Sequence, residues 1–179
     1  MSICDGSGRF GNQIIRNLAL SLIAKKFNLK MTYCRGGNEL NKLGVHLFTG
    51  NNIYNKSLLI NDKNYFNILN KDQIDFNVKA HSDSFFQFKD CTDLIFSELN
   101  KEENIKKIME KNKYKNRYQN NTDCFVHIRL GDCKQYNPGE KYYSSILNSI
   151  DATNIFISTD GPNHPIIKIL LENYKNAKI

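Results

Sequence analysis

No two of the five cysteines in this 179-residue chain stand at C-x-x-C spacing. Cys4, Cys34, Cys91, Cys124 and Cys133 are scattered and odd in number, which argues against a structural zinc site and against a disulfide framework. Reduced thiols in a cytosolic setting are the reading that follows. A long apolar run is missing as well. Leu18 to Ala24, the longest near the start, is too short to span a bilayer and follows a polar, glycine-rich segment, unlike a signal peptide. A cytoplasmic protein without a transmembrane segment is expected. Among the histidines no pair has the i,i+4 or i,i+2 spacing of metal ligands, so no metal is expected; His46 and His81 read as surface or turn residues and His164 as a loop residue.

Acidic residues are outnumbered, 18 against 25 basic ones, for a net charge of +7 and a pI near 9.1. That balance favours anionic partners: nucleic acid, acidic membranes or nucleotide-linked substrates. Much of the lysine sits between Lys101 and Lys115. A solvated helix face accounts for it, and aromatic residues are not interleaved with the lysines in a stacking pattern, so nucleic acid is not the expected partner. Asparagine equals lysine and arginine together at 25 residues, a bias that an AT-rich genome can produce. The 40% hydrophobic and 11% aromatic content suffices for one full domain or two small ones.

Met1 to Cys4 reads as a short strand and Asp5 to Asn12 as a glycine-rich loop. Gln13 to Phe27 follows as a helix, with Ile14, Leu18, Leu22 and Ile15, Ala19, Ile23 on its packed stripe. Asn28 stops it, and Leu29 to Cys34 reads as a strand closed by Gly36 and Gly37. From Asn38 to Asn77 the geometry is not readable. Ser84 to Phe88 reads as a strand or its exit, Cys91 to Leu99 as a short helix and Glu102 to Tyr114 as another. The polar run Asn116 to Asp123 marks a boundary, giving two halves, 1–119 and 120–179. Beyond it the order is strand (Cys124 to Arg129), helix (Lys141 to Ile150), strand (Asn154 to Ser158), loop (Thr159 to Pro165) and helix (Ile166 to Tyr174). Alternation of this kind predicts an α/β class with parallel strands and crossover helices, the second half incomplete by itself.

The richest segment is Cys124-Phe-Val-His-Ile-Arg-Leu-Gly-Asp132. Phe125, Val126 and Ile128 supply a buried strand, and His127, Arg129 and Asp132 are spaced to leave its C-terminal end together, where open α/β sheets place ligands. Gly131 lets the backbone turn and approach a ligand. Arg129 there suits a diphosphate; pairing of Arg129 with Asp132 at a strand end is the alternative. Gly6-Ser-Gly8-Arg-Phe-Gly11 matches G-x-G-x-x-G and opens a helix, as a dinucleotide loop would. Against that, the preceding strand is very short and the next ends in Arg35 where an acidic residue would meet the ribose. A dinucleotide with an extra phosphate on Arg35, or a tight turn without ligand, are the other readings.

Gly8-Arg-Phe-Gly-Asn-Gln13 before an apolar helix resembles the N-terminal signature of the α-1,2-fucosyltransferase family, glycosyltransferase family eleven. His127-Ile-Arg-Leu-Gly-Asp132 resembles that family's V-H-x-R-R-G-D segment. Ser84-Phe-Phe-Gln87, Glu140-Lys-Tyr-Tyr143 and Ile155-Phe-Ile-Ser-Thr-Asp160 are similar to further segments, in the family's order. The resemblance implies a GT-B-like fold of two Rossmann-like halves with a cleft between them, GDP-fucose as donor, a glycan acceptor, inversion at the anomeric carbon and no bound metal or other cofactor. It assigns Arg129 to the donor diphosphate as the catalytic cation, with His127, Gly131 and Asp132 shaping the nucleotide pocket. Asp160 falls at a strand end, placed for a ribose or base contact or for capping the next helix. Gly8, Arg9, Asn12 and Gln13 would hold donor or acceptor hydroxyls. Asp5 is a general-base candidate by location, although an oxocarbenium-like transfer can dispense with a strong base.

Two departures from the family's pattern stand out. Its paired arginines are Arg129-Leu130 here, and its members continue past the position of Ile179. A catalytically inactive, truncated relative that binds a GDP-sugar or a protein partner is therefore the alternative expectation. Acceptor identity and oligomeric state are not readable from the chain.

Overall fold

An 18-residue helix, α1 (Phe10–Phe27), organises the N-terminal part of the computed structural model, which describes residues 1–5, 8–117, 121–131 and 134–179. Its buried stripe is Ala19, Leu20, Ile23, Ala24 and Phe27, one turn apart in pairs, with Arg16 and Asn17 at its head. Ile14, Ile15, Leu18 and Leu22 from the expected stripe are only half-buried. Asn28 ends the helix in the left-handed conformation (φ 51°), which asparagine tolerates.

The described residues divide into two compact units, Met1–Lys115 and Asn116–Ile179. In the first, β1 (Ser2–Ile3), β2 (Met31–Thr32), β3 (Ser57–Ile60) and β4 (Asn77–Ala80) form a parallel sheet in the order β2-β1-β4-β3. Met31, Val78, Ala80 and Ile60 turn one face of it into a core shared with α1. Ile3, Thr32, Leu59 and Lys79, the alternate positions, lie on the exposed face. Helix α3 (Tyr65–Leu69) is anchored by Tyr65, whose hydroxyl donates to Ala19 O at 2.8 Å. Around that ring stand Phe66, Phe86 and Phe88 at centroid distances of 5.3–6.2 Å, in tilted or edge-on geometry. The remaining helices are α2 (Arg35–Lys42), α4 (Lys89–Leu99) and α5 (Glu102–Lys111).

Asparagine earns its abundance in the segment that sequence patterns could not parse. Asn77 bonds Tyr54 N at 3.1 Å and Tyr54 O at 2.6 Å, fixing the chain that leads into β3. Asn61 and Asn64 exchange side-chain-to-backbone bonds in the turn before α3. Asn52 Nδ2 donates to Phe27 O at 2.9 Å. Such local amide bonds replace helix or sheet bonds in turns.

In the second unit β5 (Cys124–Ile128), β6 (Ile155–Thr159) and β7 (Ala177–Lys178) form a parallel sheet of their own, in that order. Helices α6 (Glu140–Asn148) and α7 (Pro165–Asn173) pack with it through Ile128, Leu147, Ile155, Ile157, Ile167 and Leu170. Tyr174 fastens the two helices, donating to Ser144 O at 3.1 Å and to Asn148 Oδ1 at 2.8 Å. Strand β7 was not foreseen, because two residues carry no readable alternation. Phe125 belongs to the opposite face and is 70% exposed, contrary to its expected place in a buried strand. Strict period-two alternation sends it away from Val126 and Ile128. Mixed α/β architecture with parallel sheets, as expected, is thus present in both units.

Candidate functional site

Two loop clusters at the C-terminal ends of parallel strands gather the residues singled out in the sequence. In the N-terminal unit the focus is a side chain that sequence reading missed. Arg16, in the second turn of α1, is fully buried. Its guanidinium donates to the carbonyls of His81 (2.9 Å) and Ser84 and to the Asp5 carboxylate, and lies 5.9 Å from the centre of the Phe85 ring. The loop after β1 and the loop after β4 are thereby tied to one cation. Among the described atoms Arg16 Nε has no partner, so the charge is compensated through the two terminal nitrogens.

The motif residues collect around this link. Gly8 has φ +81°, and a Cβ there would lie 2.6 Å from Phe85 Cε1. Gly8 therefore serves close packing of the Ser84 to Gln87 loop on the glycine loop, as well as the left-handed turn. Asn12 Oδ1 accepts from Gln87 Nε2 at 2.7 Å, joining two segments that lie 75 residues apart in sequence. Gln13 Nε2 donates to Gly8 O at 3.0 Å and steadies the loop from behind. Arg9 is the exposed N-cap residue of α1 and makes no side-chain cap. Asp5 pairs with Arg16, which gives it a structural part in this link.

Phe86 sits in this loop at φ 54°, an unusual conformation for a bulky residue. Its buried ring packs on Tyr65 and its N–H donates to Asp62 Oδ1 at 2.9 Å, interactions that hold the backbone there. The Ser84 to Phe88 segment is accordingly a loop leading into α4, not a strand.

The second cluster lies where β5 and β6 end side by side. His127 is within β5, opposite Ser158, and exposed on the face that carries Phe125. Arg129 follows the strand and is exposed, with its backbone carbonyl near Asn137 Nδ2 at 3.4 Å. Leu130, at the position of the family's second arginine, is buried in the core beside Ile128. Asp132 lies outside the described residues.

Asp160 makes the most informative contact of this cluster. Its Oδ1 accepts from the backbone N–H of Leu130 at 2.6 Å and of Gly131 at 3.0 Å. A Cβ on Gly131 would lie 2.6 Å from Asp160 Oδ2, so the absent side chain leaves room for this carboxylate. Gly161 repeats the device, its absent Cβ leaving room for Leu130. The loops after β5 and β6 are locked by these exchanges. Asp160 does not cap α7. That task falls to His164, whose Nδ1 accepts from Ile166 N at 3.2 Å ahead of Pro165, a helix start that correctly combines cap and proline.

A cavity of about 420 Å³ also occurs in the N-terminal unit, walled by Leu18, Leu22, Leu47, Ile95 and Leu99, and none of the candidate residues lines it. Among the described residues no group of three or more His, Cys, Asp or Glu side chains is placed to hold a metal, and no helix is long and apolar enough to cross a membrane. Burial raises the Cys4 thiol to about 12, helped by the neighbouring Cys34, and raises Tyr33 to about 12 and Cys91 to about 11. No protein-family model matches the chain, and neither a curated protein nor a solved structure matches it.

Proposed function

We propose that the chain is a GT-B-like inverting glycosyltransferase that moves L-fucose from GDP-fucose to a glycan hydroxyl, in the manner of the α-1,2-fucosyltransferases. The observation that carries this reading is the cross-braced pair of loops after β5 and β6. Asp160 fixes the Leu130–Gly131 backbone, and that backbone sets where Arg129 starts from. A braced cation at the C-terminal ends of adjacent parallel strands fits a diphosphate, because the guanidinium fork matches two phosphoryl oxygens.

In the reaction the fucose C1–O bond breaks and its electron pair leaves with GDP, while the acceptor oxygen bonds to C1 from the opposite face. The acceptor proton goes to solvent, since that oxygen acidifies only late in an oxocarbenium-like transfer. Arg129 neutralises the charge growing on the β-phosphate, a contact of the preorganised electrostatic kind that is worth about 3–4 kcal/mol. In the N-terminal unit Asn12 and Gln87, bonded to each other, offer amide groups to sugar hydroxyls, and Arg16 positions both loops.

Incubation of the protein with GDP-fucose and a panel of oligosaccharides, followed by mass analysis of the products, tests this reading. A deoxyhexose added to an acceptor supports it; an intact donor in the presence of every acceptor counts against it. Burial of Leu130, where the family carries a second arginine, favours one alternative: a protein that binds GDP-sugar without turning it over. GDP binding with neither transfer nor donor hydrolysis identifies that case.

A further inference from the structure

One pair of cysteine side chains has no part in sugar transfer. Cys4 follows β1 and Cys34 follows β2, and these strands are parallel neighbours with Ser2 paired to Met31 and Ile3 to Thr32. Cys4 N donates to Thr32 O at 2.9 Å, so the pairing runs on past the strands. Extending the register places Cys34 one residue along the diagonal from Cys4. With strands ~4.8 Å apart and a rise of ~3.3 Å per residue, the two Cα atoms are about 5.8 Å apart. Disulfides span roughly 4.4–6.8 Å between Cα atoms.

The side chains converge as well. Cys4 is 2% exposed and belongs to the core under α1. Cys34 has left its strand to become the N-cap residue of α2, and its thiol turns toward α1, 3.2 Å from Asn17 Oδ1. Cys34 is close enough to Cys4 to be among the causes, after burial, that push the Cys4 thiol up. Cys34 is half-buried, so solvent-borne reagents reach it before they reach Cys4.

We propose that Cys4 and Cys34 are an oxidisable dithiol, a modification site that closes to an intramolecular disulfide when a peroxide reaches the C-terminal edge of the N-terminal sheet. In the first step the Cys34 sulfur attacks the peroxide, the O–O bond breaks, and Cys34 becomes a sulfenic acid with release of water. In the second the Cys4 sulfur attacks the Cys34 sulfur, the S–O bond breaks and a second water leaves. Each sulfur gives up one electron, and the two peroxide oxygens take them up. Closure withdraws Cys34 from Asn17, whose Nδ2 already lacks a partner among the described atoms. It also joins the residue preceding Asp5 to the start of α2, next to the Asp5–Arg16 bridge.

The test is thiol counting and peptide mapping on the full chain, with no nucleotide present, so its outcome is independent of the donor proposal. After hydrogen peroxide treatment, thiols titratable in denaturant should fall from five to three. Proteolysis should then yield a Cys4–Cys34 cross-linked peptide lighter by two hydrogens. In Cys4→Ser the sulfenic acid should persist on Cys34 and no such peptide should form. Phenylarsine oxide, which bridges two close thiols without an oxidant, provides a check on untreated protein. It should mask two thiols in the wild type and none in Cys4→Ser or Cys34→Ser. Cross-linking through other cysteines, over-oxidation of Cys34 beside a reduced Cys4, or an arsenical that leaves all thiols titratable would each overturn the proposal.

Discussion

Gly131 and Asp160 are in direct contact: the glycine N–H donates to one carboxylate oxygen at 3.0 Å, and the other oxygen rests where a side chain on Gly131 would begin. The same carboxylate takes the Leu130 N–H, so one anion holds two consecutive backbone donors. Hydrogen bonds to a charged acceptor contribute about 1.5–3 kcal/mol. Asp160→Ala should lower the unfolding free energy by about 2 kcal/mol, and Gly131→Ala by about 1–3 kcal/mol through the forced displacement of that carboxylate. Urea titrations of both variants check this. An effect below about 0.5 kcal/mol for both, the range of ordinary surface substitutions, would show that the brace is not structural.

Arg16 should be among the most sensitive positions in the N-terminal unit. Arg16→Met removes the partner of Asp5 and the donor to two loop carbonyls, and breaking a buried pair in this way costs about 3–5 kcal/mol. Arg16→Lys should recover little, since an ammonium cannot reach both loops as a planar fork does. In the double variant with Asp5→Asn the loss should be smaller than the sum of the single losses, because the two side chains share one interaction. Additive losses would mean that Asp5 and Arg16 are not coupled.

Alkaline stability follows from the buried thiols and phenol. Cys4 is raised from 9.0 to about 12, Cys91 from 9.0 to about 11 and Tyr33 from 10.0 to about 12, in each case chiefly by burial. A raised acid keeps its proton in the folded chain while the unfolded chain releases it. Its contribution to stability is therefore complete below the unfolded value and declines as pH climbs toward the folded one. From about pH 9 for Cys4 and Cys91, and from about pH 10 for Tyr33, each such group should lower the unfolding free energy by about 1.4 kcal/mol per pH unit until its folded value is reached. Denaturant midpoints measured across that range should fall, and Cys4→Ser should flatten the fall. A stability that is level from pH 8 to pH 11 would contradict the burial of these groups.

Legibility from sequence varied with how local the signal was. Long periodic segments announced themselves: α1, α4, α6 and α7 lie close to their expected bounds, and the apolar alternation of Cys124 to Ile128 is a real strand. The short strands β3, β4 and β7 were not legible, because two to four residues hold no period. Helix α2 begins Arg35-Gly-Gly, a composition that reads as a turn, and close packing of Gly36 on Gln13 and Asn17 overrides that preference. Within the candidate sites, the glycine loop and the Arg129 segment stood out through their motifs. Arg16 did not, since an arginine on a helix reads as solvated until the carbonyls of residues 81–84 are seen folded over it. His164, read as a loop residue, caps α7 where Asp160 was one of the expected candidates, for a similar reason: which side chain caps a helix depends on loop geometry that spacing alone does not fix.

The proposed donor site also predicts a division of effects between two neighbouring residues. Asp160→Asn keeps the shape of the brace but removes its charge, so it should alter GDP affinity mainly by loosening the Leu130–Gly131 backbone. Its loss should track the loss in stability. His127→Ala, on the exposed face of β5, should leave stability within about 0.5 kcal/mol of wild type. Any fall in GDP affinity there reports contact with the nucleotide. Paired calorimetric and denaturation measurements on the two variants separate these contributions; a stability loss in His127→Ala as large as that in Asp160→Asn would contradict the placement.

The central claim is that Arg129 meets the diphosphate of a sugar nucleotide, and isothermal titration of GDP into wild type, Arg129→Ala and the exposed control Lys168→Ala tests it most directly. The account predicts saturable binding by wild type and control, and a loss of about 2 kcal/mol, roughly thirtyfold in Kd, in Arg129→Ala with unchanged folding. Absence of GDP binding by the wild type, or equal affinity in all three proteins, would contradict it.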